Sequence, residues 1–245
     1  MSFSTLRATA SILLLSAAAV YVAAATQRWW PSCRRGSFDT VACLRLQDHE
    51  FDYLFVSEPW TPVGQAAQYA GVALLLLAAA AAVLPFVLVR RPLRLQVPAA
   101  LIGAAAFVVA GVDAWTAGVT GQVQPASGAV AVASVVWVVL LPAGLAVWSL
   151  IDLTREPGPG VRGTRWRGAL TAALVAATPV PQVVLGPMTV GYVSHDTSPW
   201  SDAAMAVPLA VAAVLVWKVA PRAGTPRPRT DAALATVPQP SPPAE

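Results

Sequence analysis

The chain has 245 residues, of which 56% are hydrophobic and only 11% are charged, and its formal net charge is +4. A soluble domain carries about 25% charged residues, so this composition excludes a globular protein with a polar surface and requires contact with lipid. The positive charge does not indicate nucleic-acid binding, because the basic residues lie where membrane topology places them. The preference for Ala, Val and Arg, with Lys218 as the only lysine, is typical of a high-G+C bacterial genome.

The first hydrophobic segment runs from about residue 6 to residue 25. It approaches the roughly 20 residues that a bilayer-spanning helix needs, which favours an uncleaved transmembrane helix. Its end, Ala23-Ala24-Ala25, also resembles a signal-peptide cleavage site, so cleavage is the alternative. In both cases the chain that follows begins outside the cytoplasm.

Five further segments have the length and apolar character of membrane-spanning helices, and none shows the alternation of a barrel strand. They run over about 66–89, 95–118, 128–151, 169–185 and 203–220. Residues 221–245 are rich in proline and lack apolar periodicity, which predicts a disordered tail. The sequence therefore predicts an all-α, polytopic membrane helix bundle with about six transmembrane helices.

The basic residues fall mostly on one side of this predicted topology. With the N-terminus inside, the outer side receives four of the sixteen, which are Arg28, Arg34, Arg35 and Arg45. Cytoplasmic loops carry an excess of Lys and Arg. We therefore predict a multi-pass protein of a bacterial cytoplasmic membrane, with both termini and the 221–245 tail in the cytoplasm.

The longest polar stretch between apolar segments, residues 26–65, is predicted to be the first outer loop. Its two cysteines, Cys33 and Cys43, are the only ones in the chain. Because disulfides persist outside the cytoplasm, we expect a bridge between them. Redox catalysis commonly uses a Cys-x-x-Cys pair, and zinc needs more Cys or His ligands than the single His49 nearby. No metal site and no cofactor is therefore predicted.

The same loop predicts a short amphipathic helix over residues 43–55. Its apolar residues share one helical face and its charged residues share another. The apolar set is Leu44, Phe51, Leu54 and Phe55, and the charged set is Arg45, His49 and Asp52. The charged face is either a solvated surface or one wall of a site.

Most acidic residues, both histidines and many aromatic residues concentrate on the predicted outer side. An interfacial aromatic belt with a solvated loop explains much of this pattern. The alternative is a site formed where loops meet. Its candidate residues are Asp48, His49, Asp52, Asp113, His195 and Asp196.

Two features within the predicted spans stand out from the apolar background. Asp113 is ionisable, and a charge at the bilayer centre costs about 2.5–3.5 kcal/mol. Pro179 and Pro181 remove two helix donors and predict a kink or unwound turn beside Gln182. Broken helices line sites in many transporters, and they also occur as simple bends.

The sequence contains no phosphate-binding glycine loop, no Gly-x-Ser-x-Gly and no zinc-protease motif. This favours a non-enzymatic envelope protein whose outward face binds a membrane or envelope partner, or lipid. One alternative is a small-solute or ion transporter that uses Asp113 and the broken helix. Another is a membrane-embedded enzyme with an outward-facing site. Small residues in rows, such as Ala110, Ala114 and Gly118, permit close helix packing and self-association into a homo-oligomer.

Overall fold

A computed structural model of the protein describes residues 2–88, 93–125, 127–154, 164–194 and 196–219. All regular secondary structure in these ranges is helical. The helices are α1 (Phe3–Trp29), α2 (Val41–Leu46), α3 (Ala66–Leu88), α4 (Leu93–Thr120), α5 (Gly128–Val135), α6 (Leu141–Thr154), α7 (Thr164–Ala176), α8 (Pro179–Val190), α9 (Ser201–Ala204) and α10 (Ala206–Leu215). The predicted disordered tail, 221–245, lies outside the described residues.

Five helical segments of the described ranges are long and apolar enough to cross a membrane, and the bent pair of α7 and α8 makes a sixth if it counts as one span. The predicted all-α membrane bundle is thus confirmed. Two helix ends differ from the sequence-based bounds in a way that matters. α1 continues to Trp29 instead of residue 25, and the last span begins at Ser201 instead of 203. Arg28 therefore belongs to a helix rather than to a loop.

Helix α1 forms the centre of the bundle because it packs against both α3 and α10. Its Leu14 and Tyr21 are fully buried, and the Ser11 hydroxyl donates a 2.9 Å hydrogen bond to the carbonyl oxygen of Ala213. A hydroxyl can bond a carbonyl in this way without leaving a polar group unpaired in lipid. This contact fixes the first span against the last.

Helices α3 and α4 form an antiparallel hairpin whose backbones nearly touch at two glycines. A β-carbon on Gly71 would lie 2.7 Å from the carbonyl oxygen of Gly111 and 2.8 Å from the backbone nitrogen of Trp115. Only glycine permits this approach, which is the usual role of small residues between membrane helices. Ala110 and Ala114, from the predicted small-residue row, are buried in the same part of α4.

The two ends of the bundle can be distinguished by their contacts. At one end, the Arg7 guanidinium donates to the carbonyl oxygen of Trp217, so the start of the first span and the end of the last lie together. At the opposite end, the indole of Trp29 bonds Asp202. We call this second end the loop face; it carries residues 30–65 and the chain between α8 and α9.

The span formed by α5 and α6 contains a π-helical turn, Val136–Leu140. Such turns are frequent at functional sites because they redirect a side chain out of the regular helical order. Here the turn holds Trp137, which is 1% exposed and whose ring stacks on that of Phe55, with centroids 4.9 Å apart. The loop that carries Phe55 therefore reaches into the bundle.

Helices α7 and α8 meet at an 83° bend. Thr178 has an extended backbone and precedes Pro179, the first residue of α8. Pro179 and Pro181 both lie in the first turn of α8, where amide donors have no intrahelical acceptor, so proline is tolerated there. The first backbone hydrogen bond of α8 runs from Gln182 to Thr178. The proline pair thus starts a new helix rather than kinking an existing one.

Candidate functional site

The amphipathic helix of the first loop is shorter than the sequence indicates. Helix α2 ends at Leu46, a 3₁₀ turn covers His49–Phe51, and the next residues are not helical. The side chain of Thr40 caps α2, and that of Asp48 accepts a hydrogen bond from the backbone of the 3₁₀ turn. Such local bonds compete with helix continuation. The predicted helical row of Arg45, His49 and Asp52 therefore does not form.

The disulfide expected between Cys33 and Cys43 is present, with Cα atoms 5.0 Å apart. Both cysteines are fully buried against Trp29, at the end of α1. The Trp200 indole donates a 2.6 Å hydrogen bond to the carbonyl oxygen of Cys33. The bridge therefore holds the first loop against both the first span and the segment that leads into the last one.

Arg28 organises the loop above the bundle. Its side chain is 2% exposed, and all three guanidinium nitrogens donate hydrogen bonds. Nε donates to the carbonyl oxygen of Leu46 (2.9 Å) and Nη2 to that of Asp48 (3.0 Å), while Nη1 forms a 2.5 Å ion pair with Asp52. Asp52 also accepts a 2.9 Å hydrogen bond from Thr197. A buried guanidinium needs such complete pairing, and it fixes the path of residues 46–52.

Asp202 is the second acidic residue of this network. One of its oxygens accepts from the Trp29 indole at 2.8 Å, and the other accepts from the Tyr53 hydroxyl. Burial raises the pKa of Tyr53 well above its ordinary value, and the neighbouring carboxylate raises it further, because both disfavour a phenolate. Tyr53 is therefore a neutral hydrogen-bond donor at all physiological pH values.

A polar cavity of about 250 Å³ lies beside these residues. Its ionisable and amide-bearing lining residues are Arg28, Asp52, Tyr53, Gln182, Asp196 and Asp202. Acidic side chains thus outnumber basic ones three to one in the described lining. Gln182 is 8% exposed, and its Oε1 is buried without a hydrogen-bond partner among the described residues.

An apolar cavity of about 330 Å³ lies deeper in the bundle. Representative lining residues are Leu77, Leu84, Phe107, Trp137, Leu141 and Leu174. The lining also includes Ile102 and Leu140, which are 58% and 57% exposed, so the cavity opens between helices onto the surface that faces lipid. Its volume is at the lower end of the range for ligand pockets, about 300–1,000 Å³.

The two cavities adjoin at the break between α7 and α8. Ala177 and Thr178 line the apolar cavity, and Pro179, the next residue, lines the polar one. The stacked pair of Phe55 and Trp137 spans the same boundary, with Phe55 on the polar side and Trp137 on the apolar side. The helix break and the aromatic pair together form a common wall.

The structure brings some of the candidate outer-face residues together. Ligand atoms of Asp48, His49 and Asp196 lie within 4.8 Å of one another, all on exposed side chains. Among the described residues these three could reach one cation, although structural zinc takes four ligands and calcium six to eight. Asp52 and Asp196 line the polar cavity. Asp113 lines neither cavity, and His195 lies outside the described residues.

Sequence reasoning did not identify several residues that build this site. They are Arg28, Trp29, Tyr53, Thr197 and Asp202. Arg28 was counted only as an outer basic residue, because its partners are 18 to 24 positions away. One signal is present in the sequence: Arg28 lies three positions after the first apolar run, and Asp202 directly precedes the last one.

A scan against protein-family models, a search of curated proteins and a search of solved structures found no match to this chain. A functional proposal therefore depends on the chemistry of its own residues.

Proposed function

We propose that this protein is a non-enzymatic membrane protein that binds a lipid through its loop face. The polar end of the lipid occupies the polar cavity, and its hydrocarbon part occupies the apolar cavity. The observation that carries this proposal is the juxtaposition of the two cavities on either side of one wall, the break at Thr178–Pro179. An amphiphile is the class of ligand whose two ends match two such environments.

The path into the apolar cavity supports a lipid rather than a soluble ligand. Ile102 and Leu140 line the cavity and are also exposed on the outside of the helices. A hydrocarbon chain can therefore enter sideways from the bilayer without crossing water. The polar cavity lies at the loop face, and the predicted topology, with an excess of basic residues on the opposite side, supports an exterior location for this face. Under this proposal the lipid comes from the outer leaflet.

The two alternative functions receive less support from the geometry. The transporter hypothesis depends on a polar cavity between Asp113 and Gln182, and the cavity that contains Gln182 is not lined by Asp113. The enzyme hypothesis depends on a nucleophile or acid–base pair at the loop face. Two acidic residues there, Asp52 and Asp202, are hydrogen-bonded to Arg28, Trp29 and Tyr53, as structural groups are.

A cavity-filling variant tests the proposal. Gly144 lines the apolar cavity, and a β-carbon there would have no atom within 4 Å. Gly144→Leu therefore adds side-chain atoms at the cavity from a β-carbon that meets no protein atom. Gly128→Leu is the matched control, because Gly128 also has free space around it, lies in the same span and does not line the cavity.

The measurement is the lipid that remains bound to protein purified in detergent, determined by native mass spectrometry. We expect Gly144→Leu to reduce lipid occupancy about tenfold, which corresponds to about 1.4 kcal/mol. The Gly128→Leu control should retain the wild-type lipid. Equal occupancy in both variants would show that the apolar cavity does not hold the lipid, and the proposal would fail.

A further inference from the structure

Four side chains around the polar cavity, those of Arg28, Trp29, Tyr53 and Thr197, donate hydrogen bonds to other groups of the protein. The three guanidinium nitrogens of Arg28 bond two carbonyl oxygens and Asp52. The Trp29 indole and the Tyr53 hydroxyl donate to Asp202, and Thr197 donates to Asp52. A ligand group that needs donors, such as a phosphate, finds the hydroxyls of Ser198 and Ser201 and, from these four side chains, only the second N–H of each terminal Arg28 nitrogen.

The clearest unpaired group of the cavity is an acceptor. The amide of Gln182 is oriented by a 2.6 Å hydrogen bond from Nε2 to the carbonyl oxygen of Ala176, which leaves Oε1 as the free atom. That oxygen is buried and lacks a donor among the described residues. Leaving a buried acceptor unpaired is unfavourable, and such groups in native structures call for an explanation. A donor on the bound ligand supplies one.

Two carboxylates add negative charge to this free acceptor. Oδ1 of Asp52 accepts both of that side chain's bonds, from Arg28 and Thr197, so Oδ2 accepts none from the described residues. Asp196 lines the same cavity, and its side chain is exposed. The cavity thus presents one amide oxygen and two carboxylates with capacity to accept hydrogen bonds.

We infer that the polar cavity selects a lipid whose headgroup carries a protonated primary amine. This inference rests on the proposed lipid-binding function and specifies its ligand class. A primary ammonium has three N–H donors and no acceptor, which complements Gln182, Asp52 and Asp196. Its positive charge also suits a lining in which acidic residues predominate. Charged donors form the stronger class of hydrogen bond.

Three lipids with identical acyl chains separate the features of this headgroup. Phosphatidylethanolamine has a positive charge with N–H donors. Phosphatidylcholine has a positive charge without N–H donors, and phosphatidylglycerol has hydroxyl donors with a net negative charge. Each is exchanged onto delipidated full-length protein in detergent, and relative affinities are measured by competition in native mass spectrometry. Free ethanolamine in a fourth competition distinguishes a lipid site from a site for a soluble amine.

We expect phosphatidylethanolamine to bind at least about tenfold more tightly than either other lipid, which corresponds to about 1.4 kcal/mol. Gln182→Met and Asp196→Asn should each reduce this preference severalfold. Glu58→Gln is the control, because Glu58 is an exposed acid of the first loop that does not line the cavity. It should leave the preference unchanged.

The outcomes distinguish the inference from the function on which it rests. Equal binding of phosphatidylcholine or phosphatidylglycerol would overturn the amine inference, while lipid binding itself would stand. Displacement of phosphatidylethanolamine by millimolar free ethanolamine would assign the cavity to a soluble amine and also overturn it. If none of the three lipids binds, the proposed function fails and the inference with it.

Discussion

Replacing Arg28 by Met tests whether one guanidinium holds the loop face together. The substitution keeps an unbranched apolar stem of similar length and removes every donor. It leaves the carbonyl oxygens of Leu46 and Asp48 without their bonds, and Asp52 without its positive partner. The geometry of residues 46–52 depends on these three contacts. The variant should therefore destabilise this segment, which includes part of the lining of the polar cavity.

The size of the effect follows from the burial of each group. Removing one member of a fully buried ion pair costs about 3–5 kcal/mol. Arg28 is 2% exposed, but the Asp52 side chain is 34% exposed, so water compensates part of the lost attraction. The two carbonyl oxygens contribute about 1 kcal/mol each. We therefore expect the free energy of unfolding to fall by about 3 kcal/mol, which is at the lower end of the range for breaking a buried ion pair.

Equilibrium unfolding by SDS in mixed micelles, followed by circular dichroism and tryptophan fluorescence, measures this change. Arg35→Met is the control, because Arg35 is an exposed arginine of the same loop, and exposed substitutions are usually within about 0.5 kcal/mol of wild type. A double-mutant cycle with Asp52→Asn isolates the ion pair. If Arg28→Met is no more destabilising than Arg35→Met, the guanidinium does not organise the loop face.

Two further predictions concern other contacts. Tyr53→Phe should cost about 1.5–3 kcal/mol at pH 8, because it removes a hydrogen bond to a carboxylate. Because the pKa of Tyr53 is raised in the folded state, this contribution is complete below the unfolded pKa of about 10 and is lost at higher pH. The difference in stability between wild type and Tyr53→Phe should therefore narrow above pH 10. A constant difference would contradict the assignment of this hydrogen bond. Gly71→Val should separate α3 from α4 and lower the unfolding temperature in detergent strongly, since its β-carbon would meet backbone atoms of Gly111 and Trp115. Gly103→Ala, whose β-carbon would make an ordinary 3.4 Å contact with Ala81, should be tolerated, and equal loss in both variants would argue against close packing at Gly71.

The membrane architecture could be predicted from the sequence because the length and polarity of each segment are local properties. The Cys33–Cys43 bridge was accessible for a similar reason, since the chain has no other cysteine to compete. The polar network was not accessible. Tyr53 and Asp202 are 149 positions apart, and Trp29 and Asp202 are 173 apart, so only the packing of the first span against the last brings them together.

The error in the length of the amphipathic helix has a specific physical cause. Periodicity extends the amphipathic helix to residue 55, because it does not account for the side chain of Asp48, which caps a separate 3₁₀ turn after α2 ends at Leu46. The kink or unwound turn predicted at Pro179 and Pro181 lies at the 83° bend between α7 and α8, and both prolines occupy the first turn of α8. The burial of Gln182 in α8 could not be predicted from the sequence, because it depends on the neighbouring loop.

The most direct test of the lipid-binding proposal is the position at which a bound lipid contacts the protein. A phosphatidylethanolamine with a photoreactive diazirine at the end of one acyl chain can be bound, irradiated and mapped by mass spectrometry. We predict labelling of cavity residues such as Trp137, Leu141 and Leu174, and its loss in Gly144→Leu. Labelling confined to exposed helix positions such as Ile12 and Val211, and unchanged in Gly144→Leu, would contradict the proposal.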